Sequence, residues 1–345
     1  MDKLKALLTA EVDESIVREI DGLLDIEYAG WYKDQKILTK EQMIELMPGK
    51  GILITSYDPV TKEVMDASDN LKMIVCTRAT PVNIDIAHAK ERGIKLSYAP
   101  GRNSDCTAEF TVALMLSITR KIPMAYRDLH EGKHTADHKQ DVNIKEGLRR
   151  DVTWSLGKDT PYVEYKGFQM HGHTLGIIGY GSIGRRVGAI CRAFGMNVIV
   201  SDPYLKQDMV EEYVTLKSFD EVLSEADIIT VHCKDVPETE KLINARAFSK
   251  MKPTAYFINT SRGAVIDEQA LIEALRNKKI AGAALDVYES EPIAKDHPFL
   301  TEFNNVVTTP HLAGATYDAI TNHTKMLVDD VKHFLCGEEL EYEYK

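Results

Sequence analysis

His173–Tyr204, HTLGIIGYGSIGRRVGAICRAFGMNVIVSDPY, decides the fold, because strand, glycine turn, helix and strand follow one another within it. Leu175 to Ile178 is a short apolar run, and Gly179, Gly181 and Gly184 follow it at G-x-G-x-x-G spacing. The first glycine permits a tight bend, the second lets backbone N–H groups approach a pyrophosphate, and the third lets the next helix pack on the strand. Ile183, Val187, Ile190, Cys191 and Phe194 then recur at helical spacing until Gly195 ends the helix. The free N–H groups at its start, around Ser182 and Ile183, can hold an anion.

Asn197 to Ser201 makes a second strand, ending at Asp202. A carboxylate there accepts hydrogen bonds from the hydroxyls of an adenosine ribose and repels a 2′-phosphate. At ~4 Å and an effective dielectric near 20 that repulsion is ~4 kcal/mol per charge pair, enough to favour NAD over NADP.

Working outward, the 345 residues leave room for two domains. A formal net charge of -11 argues against nucleic acid or an anionic membrane as the main partner. The cysteines, Cys76, Cys106, Cys191, Cys233 and Cys336, are scattered without C-x-x-C spacing, which fits reduced thiols in a cytoplasm. No apolar stretch is long enough to span a bilayer, and Leu4 to Ala10 is too short for a signal peptide, so the mature chain is expected to begin near Met1.

Upstream, Lys5–Leu8, Ile26–Ala29, Gly51–Thr55, Leu71–Cys76 and Ile94–Tyr98 are strand candidates with helices between them. One helix carries Ile16, Val17, Ile20, Leu23 and Leu24 on a face, and another starts with Thr39 and Gln42 at capping-box spacing. Alternation of this kind means a parallel sheet covered by helices, with ligands beyond the carboxyl ends of the strands. Ser56, Arg78 to Thr80 and Pro100 to Asn103 stand at those ends. A long helix from about Asp105 to Lys121 follows, then a polar segment at 130–170. His130, His134 and His138 stand there at helical spacing, but without an apolar face a solvated surface is favoured and no metal site is expected.

Downstream, Ser218 and Glu221 cap a helix, and Asp227–His232, Thr254–Ile258, Ile280–Val287 and Val306–Thr308 continue a second sheet. A last helix, roughly Ala315 to Cys336, comes after that sheet is complete and can return to the first domain. Three stretches, NTSRG, DVYESEP and TPHLAGAT, supply Arg262, Glu291 and His311. Reducing a 2-oxo acid needs a proton donor for the developing alkoxide and a group that holds the carboxylate in register. Arg262 suits the second task through a bidentate fork, and His311 beside Glu291 suits the first. Taken singly, each has a plainer reading: a surface ion pair, a solvated turn acid, a helix-cap histidine.

Together with APGRNSDCTAE, GIIGYGSIGRRVG, FINTSRGAVIDEQAL, AGAALDVYESEP and TTPHLAGAT, in order, the chain resembles the D-isomer-specific 2-hydroxyacid dehydrogenases, the phosphoglycerate dehydrogenase-like family. The resemblance implies two doubly wound parallel-sheet α/β domains with a cleft between them. One is a Rossmann NAD domain at 105–311 with the extended segment 130–170; the other is a flavodoxin-like substrate domain, discontinuous over 1–104 and 312–345. It implies Arg262 as substrate anchor, Glu291 as partner of His311, and His311 as the proton donor. NAD would be bound by Gly179, Gly181, Ser182, Ile183, Gly184, Asp202, Thr107, His232 and Asp286, with Asp286 and Thr107 near the nicotinamide. Ala79, Thr80 and Asn103 would hold the substrate's carboxylate side. A small 2-oxo or 2-hydroxy acid is the expected partner, in the cytoplasm that the cysteines suggest, and a homodimer is expected by resemblance alone.

Two departures bear on the substrate. Arg78-Ala79-Thr80-Pro81 stands where many members are glycine-rich, and Thr55 and Tyr57 stand where phosphoglycerate dehydrogenases typically show arginine. An unphosphorylated substrate is therefore expected, although Arg102 and Lys62 leave a displaced phosphate site conceivable. The chain also ends soon after its last helix, so no regulatory domain is expected. Corepressors that resemble these enzymes use the same scaffold with the dinucleotide as a ligand, and an NADH-binding regulatory protein is the alternative. Formate dehydrogenase-like chemistry is a lesser one, since those relatives carry glutamine where Glu291 stands.

Overall fold

The computed structural model describes residues 3–135, 158 and 160–345. The chain divides into two compact units, Met1–Asn103 with Ala315–Lys345, and Ser104–Gly314.

The first unit is built on five parallel strands, β1 (Leu4–Leu8), β2 (Leu24–Tyr28), β3 (Ile52–Thr55), β4 (Met73–Cys76) and β5 (Lys95–Ser97), in the order β2-β1-β3-β4-β5. Side chains alternate along each strand. Ala6, Leu8, Ile52, Ile54, Met73 and Val75 pack on one face with Leu327, Val328 and Val331 of the helix Tyr317–Cys336. Leu7, Leu53, Ile74 and Cys76 pack on the other with Met43, Met47, Val60 and Val64. Both faces are covered, so β3 and β4 are buried along their whole length. Thr39 and Gln42 form the expected capping box at the start of Lys40–Leu46. The first helix is shorter than its apolar pattern suggests: it runs over Glu14–Val17, tightens to a 3₁₀ turn at Arg18–Ile20, and Leu24 already belongs to β2.

The second unit has seven parallel strands, β6 (Thr174–Ile178), β7 (Asn197–Ser201), β8 (Val214–Leu216), β9 (Ile228–Val231), β10 (Tyr256–Asn259), β11 (Gly282–Leu285) and β12 (Val306–Thr308). Their order is β12-β11-β10-β9-β6-β7-β8, which reverses direction between β6 and β9. That reversal opens a crevice at the carboxyl ends of the strands, the usual place for a dinucleotide. Ala108, Val112 and Met115 of the helix Ser104–Thr119 pack on one face with Ile177, Ile258 and Ala284. Ser218 and Glu221 cap the helix Phe219–Glu225 as expected.

Among the elements here that the sequence does not announce, two are instructive. β8 is a three-residue edge strand paired only with β7, too short to show a period. A helix also spans Ile122–His130, separated from its predecessor by Lys121 at φ +53°. Pro123 in its first turn suits a helix start, but a left-handed lysine is not announced by hydrophobic spacing.

Candidate functional site

The glycine turn follows β6, and each glycine answers a different need. Gly179 has φ +86°, and a Cβ there would lie 2.9 Å from the Cys233 nitrogen. A Cβ on Gly184 would lie 2.6 Å from the Gly179 carbonyl oxygen, so the helix Ser182–Ala193 sits hard against the turn. Gly181 has nothing within 4 Å of where its Cβ would be, which leaves its backbone open to a ligand. Ser182 and Ile183 open the helix, and Ser104 Oγ donates to Ser182 Oγ at 3.0 Å. Asp202, after β7, accepts from the backbone N–H of Tyr180 at 2.8 Å and of Tyr204 at 3.0 Å. It therefore steadies the turn that follows β6.

Thr107 and His232 each carry a buried polar atom without a partner among the described residues, Oγ1 and Nδ1 respectively. His232 Nε2 lies 3.0 Å from Thr230 Oγ1, and burial lowers its pKa to about 3, so the ring is neutral. Unpaired buried polar atoms are costly unless a ligand meets them. Together with the open backbone at Gly181, they fit a bound dinucleotide.

Arg262, Glu291 and His311 follow three neighbouring strands, β10, β11 and β12. Asn259, the last residue of β10, organises the first loop: its side chain accepts from Ser261 N at 2.9 Å and donates to the Arg262 carbonyl at 2.9 Å. The exposed Arg262 side chain donates from Nη1 to the Ser261 carbonyl at 2.6 Å. Gly263 must be glycine, because a Cβ would lie 1.9 Å from the Tyr288 carbonyl oxygen; this presses the Arg262 loop against the loop carrying Glu291. Glu291 Oε1 accepts from Tyr288 N at 3.1 Å and its Oε2 lies 2.7 Å from His311 Nδ1. A carboxylate only accepts, so the shared proton sits on Nδ1 and Nε2 is the nitrogen left for a substrate.

Asp286 is fully buried, and its carboxylate accepts from Thr309 Oγ1 at 2.6 Å and from Leu312 N and Ala313 N at 2.8 Å each. These bonds brace the loop around His311, whose φ of +55° is uncommon for a non-glycine residue. Its own N–H donates to the Asp286 carbonyl at 2.9 Å. The sequence reading placed Asp286 at the nicotinamide and missed this bracing, together with Asn259 and Gly263. A polar residue ending a buried strand, and a glycine directly after Arg262, were the signals available.

Ala79, Thr80 and Asn103 lie in the first unit, after β4 and β5; Ala79 and Thr80 are exposed and Asn103 is half-buried. His130 Nδ1 meets the Tyr126 carbonyl at 2.9 Å and His134 Nε2 meets Glu164 at 2.9 Å, while His138 lies outside the described residues. Among the described residues no group of three or more His, Cys, Asp or Glu could hold a metal ion, and no helix is long and apolar enough to cross a membrane.

Residues 112–313 match the family described as D-isomer specific 2-hydroxyacid dehydrogenase, NAD binding domain. A D-3-phosphoglycerate dehydrogenase of Archaeoglobus fulgidus is 38% identical over 87% of this chain, which spans only 52% of that relative's length. A glyoxylate reductase of Thermococcus litoralis is 33% identical, over 97% of this chain and 95% of its own. The apo-structure of D-lactate dehydrogenase from Escherichia coli superposes with a TM-score of 0.74 at 27% identity, covering 100% of both chains.

Proposed function

The chain belongs to the D-isomer-specific 2-hydroxyacid dehydrogenase family, and from that premise we propose that it interconverts a D-2-hydroxy acid and a 2-oxo acid with NAD. The observation that carries this reading is the 2.7 Å pairing of His311 Nδ1 with Glu291, one loop away from Arg262 on adjacent strands of a dinucleotide-type sheet. Bound NAD supplies or takes the hydride. The glycine turn, Asp202, Thr107 and His232 hold it, the half-exposed Asp202 carboxylate favouring ribose hydroxyls over a 2′-phosphate.

Arg262 anchors the substrate carboxylate through its guanidinium fork and orients the carbonyl. His311 gives a proton from Nε2 to the developing alkoxide in reduction and takes it back in oxidation. Glu291 fixes the ring's tautomer and stabilises the charge that appears on it, while Asp286 keeps the loop in the conformation that presents it. Ala79, Thr80 and Asn103 line the substrate side.

The substrate is unphosphorylated on this reading. Thr55 is fully buried and donates to Asp58 at 2.9 Å, and Tyr57 is neutral, so neither supplies a cation for a phosphate. A homodimer is part of the proposal. The helix Ile122–His130 buries none of its residues and exposes Ile122, Tyr126 and Leu129, an apolar set that suits a second copy. Five free cysteines suit a reducing cytoplasm.

The deciding experiment is NADH oxidation by purified protein with a panel of 2-oxo acids. Turnover with at least one is expected, and tight NADH binding without turnover would replace this reading with that of a regulatory NADH-binding protein. Sedimentation showing a monomer at micromolar concentration would remove the dimer.

A further inference from the structure

Three successive loops of the first unit, at the carboxyl ends of β3, β4 and β5, carry Tyr57, Arg78 and Arg102. Ligands of open α/β sheets sit beyond such ends, next to the point where strand order reverses. In this sheet the reversal falls between β1 and β3, beside the Tyr57 loop.

Arg78 is half-buried, and its guanidinium carbon lies 4.6 Å from the centroid of the Tyr57 ring. That ring is 45% exposed. Among the described residues no hydrogen bond or ion pair engages the Arg78 guanidinium, so its N–H donors are uncommitted while the ring restrains its position.

Arg102 is held differently. Its Nη1 lies 3.3 Å from His323 Nδ1, and Asn322 Nδ2 donates to its carbonyl at 3.0 Å. His323 Nε2 faces the Glu11 carbonyl at 2.8 Å. A carbonyl only accepts, so the proton is on Nε2 and Nδ1 accepts from Arg102. Burial, assisted by the Arg102 charge and opposed by the Glu11 bond, lowers the His323 pKa to about 4, which agrees with a neutral ring. Burial raises the Cys76 thiol's pKa at the end of β4, and the charges of Arg78 and Arg102 oppose that rise.

We propose that Arg78, stacked on Tyr57 and seconded by Arg102, selects a 2-oxo acid that carries a second carboxylate at its far end. The inference rests on the dehydrogenase reading and specifies its substrate class. A planar guanidinium held on an aromatic ring matches a carboxylate as a two-oxygen fork, and Thr55 at the end of β3 and Tyr57 in the loop after it add no further charge. On the dehydrogenase reading Arg262 engages the carboxylate next to the carbonyl, so a second carboxylate on the substrate calls for a cation of its own.

The test compares kcat/KM for NADH-linked reduction of oxaloacetate and 2-oxoglutarate with that of pyruvate and 2-oxobutyrate, and includes 3-phosphohydroxypyruvate. A preference of at least ~10-fold for one of the dicarboxylates is expected. Arg78→Met should collapse that ratio toward one, and Arg78→Lys, which keeps the charge without the fork, should fall between. Equal rates for dicarboxylates and neutral-tailed acids, or a ratio indifferent to Arg78→Met in a variant with an unchanged melting temperature, overturns the inference and leaves the dehydrogenase reading standing. A best rate with 3-phosphohydroxypyruvate overturns the carboxylate in favour of a phosphate. No turnover with any 2-oxo acid overturns both.

Discussion

Asp58 in the first unit and Asp286 in the second are the same device put to different ends. Asp58 is 2% exposed and accepts from Thr9 Oγ1 at 2.6 Å, Thr55 Oγ1 at 2.9 Å and Leu38 N at 2.7 Å. Asp286, at 0% exposure, accepts from one threonine hydroxyl and two backbone N–H groups over the same distances. Neither forms an ion pair among the described residues. A buried carboxylate needs several donors to offset its lost hydration, and the donors it collects become fixed to one another. In the first unit the fixed groups are the ends of β1 and β3 and the loop entering at Leu38. In the second they are the loop that carries His311. Identical physics therefore braces strand ends in one place and the loop of His311 in the other.

Substitution at both sites tests that contrast. Asp286→Ala leaves three donors facing a void and should cost about 3 kcal/mol or more of stability. It should also lower kcat by ~10³, because the His311 loop loses its brace. Asp58→Ala should cost a similar ~3 kcal/mol in urea denaturation but change kcat by less than ~10-fold, with its effect on KM. Matching losses of kcat would show that the two carboxylates do not differ in function.

His311→Ala separates the reaction from the scaffold. A fall in kcat of ~10² to 10⁴, with NADH affinity and melting temperature nearly unchanged, is expected from loss of the proton donor. A parallel loss of NADH binding, read by fluorescence titration, would make His311 structural.

The first unit also has a titration of its own. His323 has its pKa lowered from 6.5 to about 4 by burial beside Arg102, with the Glu11 carbonyl as its other neighbour. The unfolded chain then binds more protons between those values, so stability is full above about pH 6.5 and falls as pH drops toward 4. The total is about 3 kcal/mol, and His323→Leu should flatten that part of the pH profile. A slope that survives the substitution assigns it elsewhere.

Asp202 completes the series as a half-exposed carboxylate with two backbone donors. It remains open to a ligand where Asp58 and Asp286 are closed. Asp202→Ala should raise the NADP/NAD ratio of kcat/KM by ~10-fold, and an unchanged ratio would leave cofactor choice to other residues.

Much of this protein was legible in its sequence because the information was local. The G-x-G-x-x-G turn, the period-2 runs of the strands and the capping boxes at Thr39 and Ser218 each involve residues a few positions apart, where backbone geometry alone dictates the pattern. The same holds for the order of NTSRG, DVYESEP and TPHLAGAT, which pointed to Arg262, Glu291 and His311. Tertiary structure decided what those residues rest on. The Asp286 carboxylate met a loop 23 to 27 residues away, Arg102 met His323 across 221, and Arg78 found the Tyr57 ring on a different strand's end. A buried polar group takes whichever donor folding brings within 3 Å, and no spacing in the chain records which one that is.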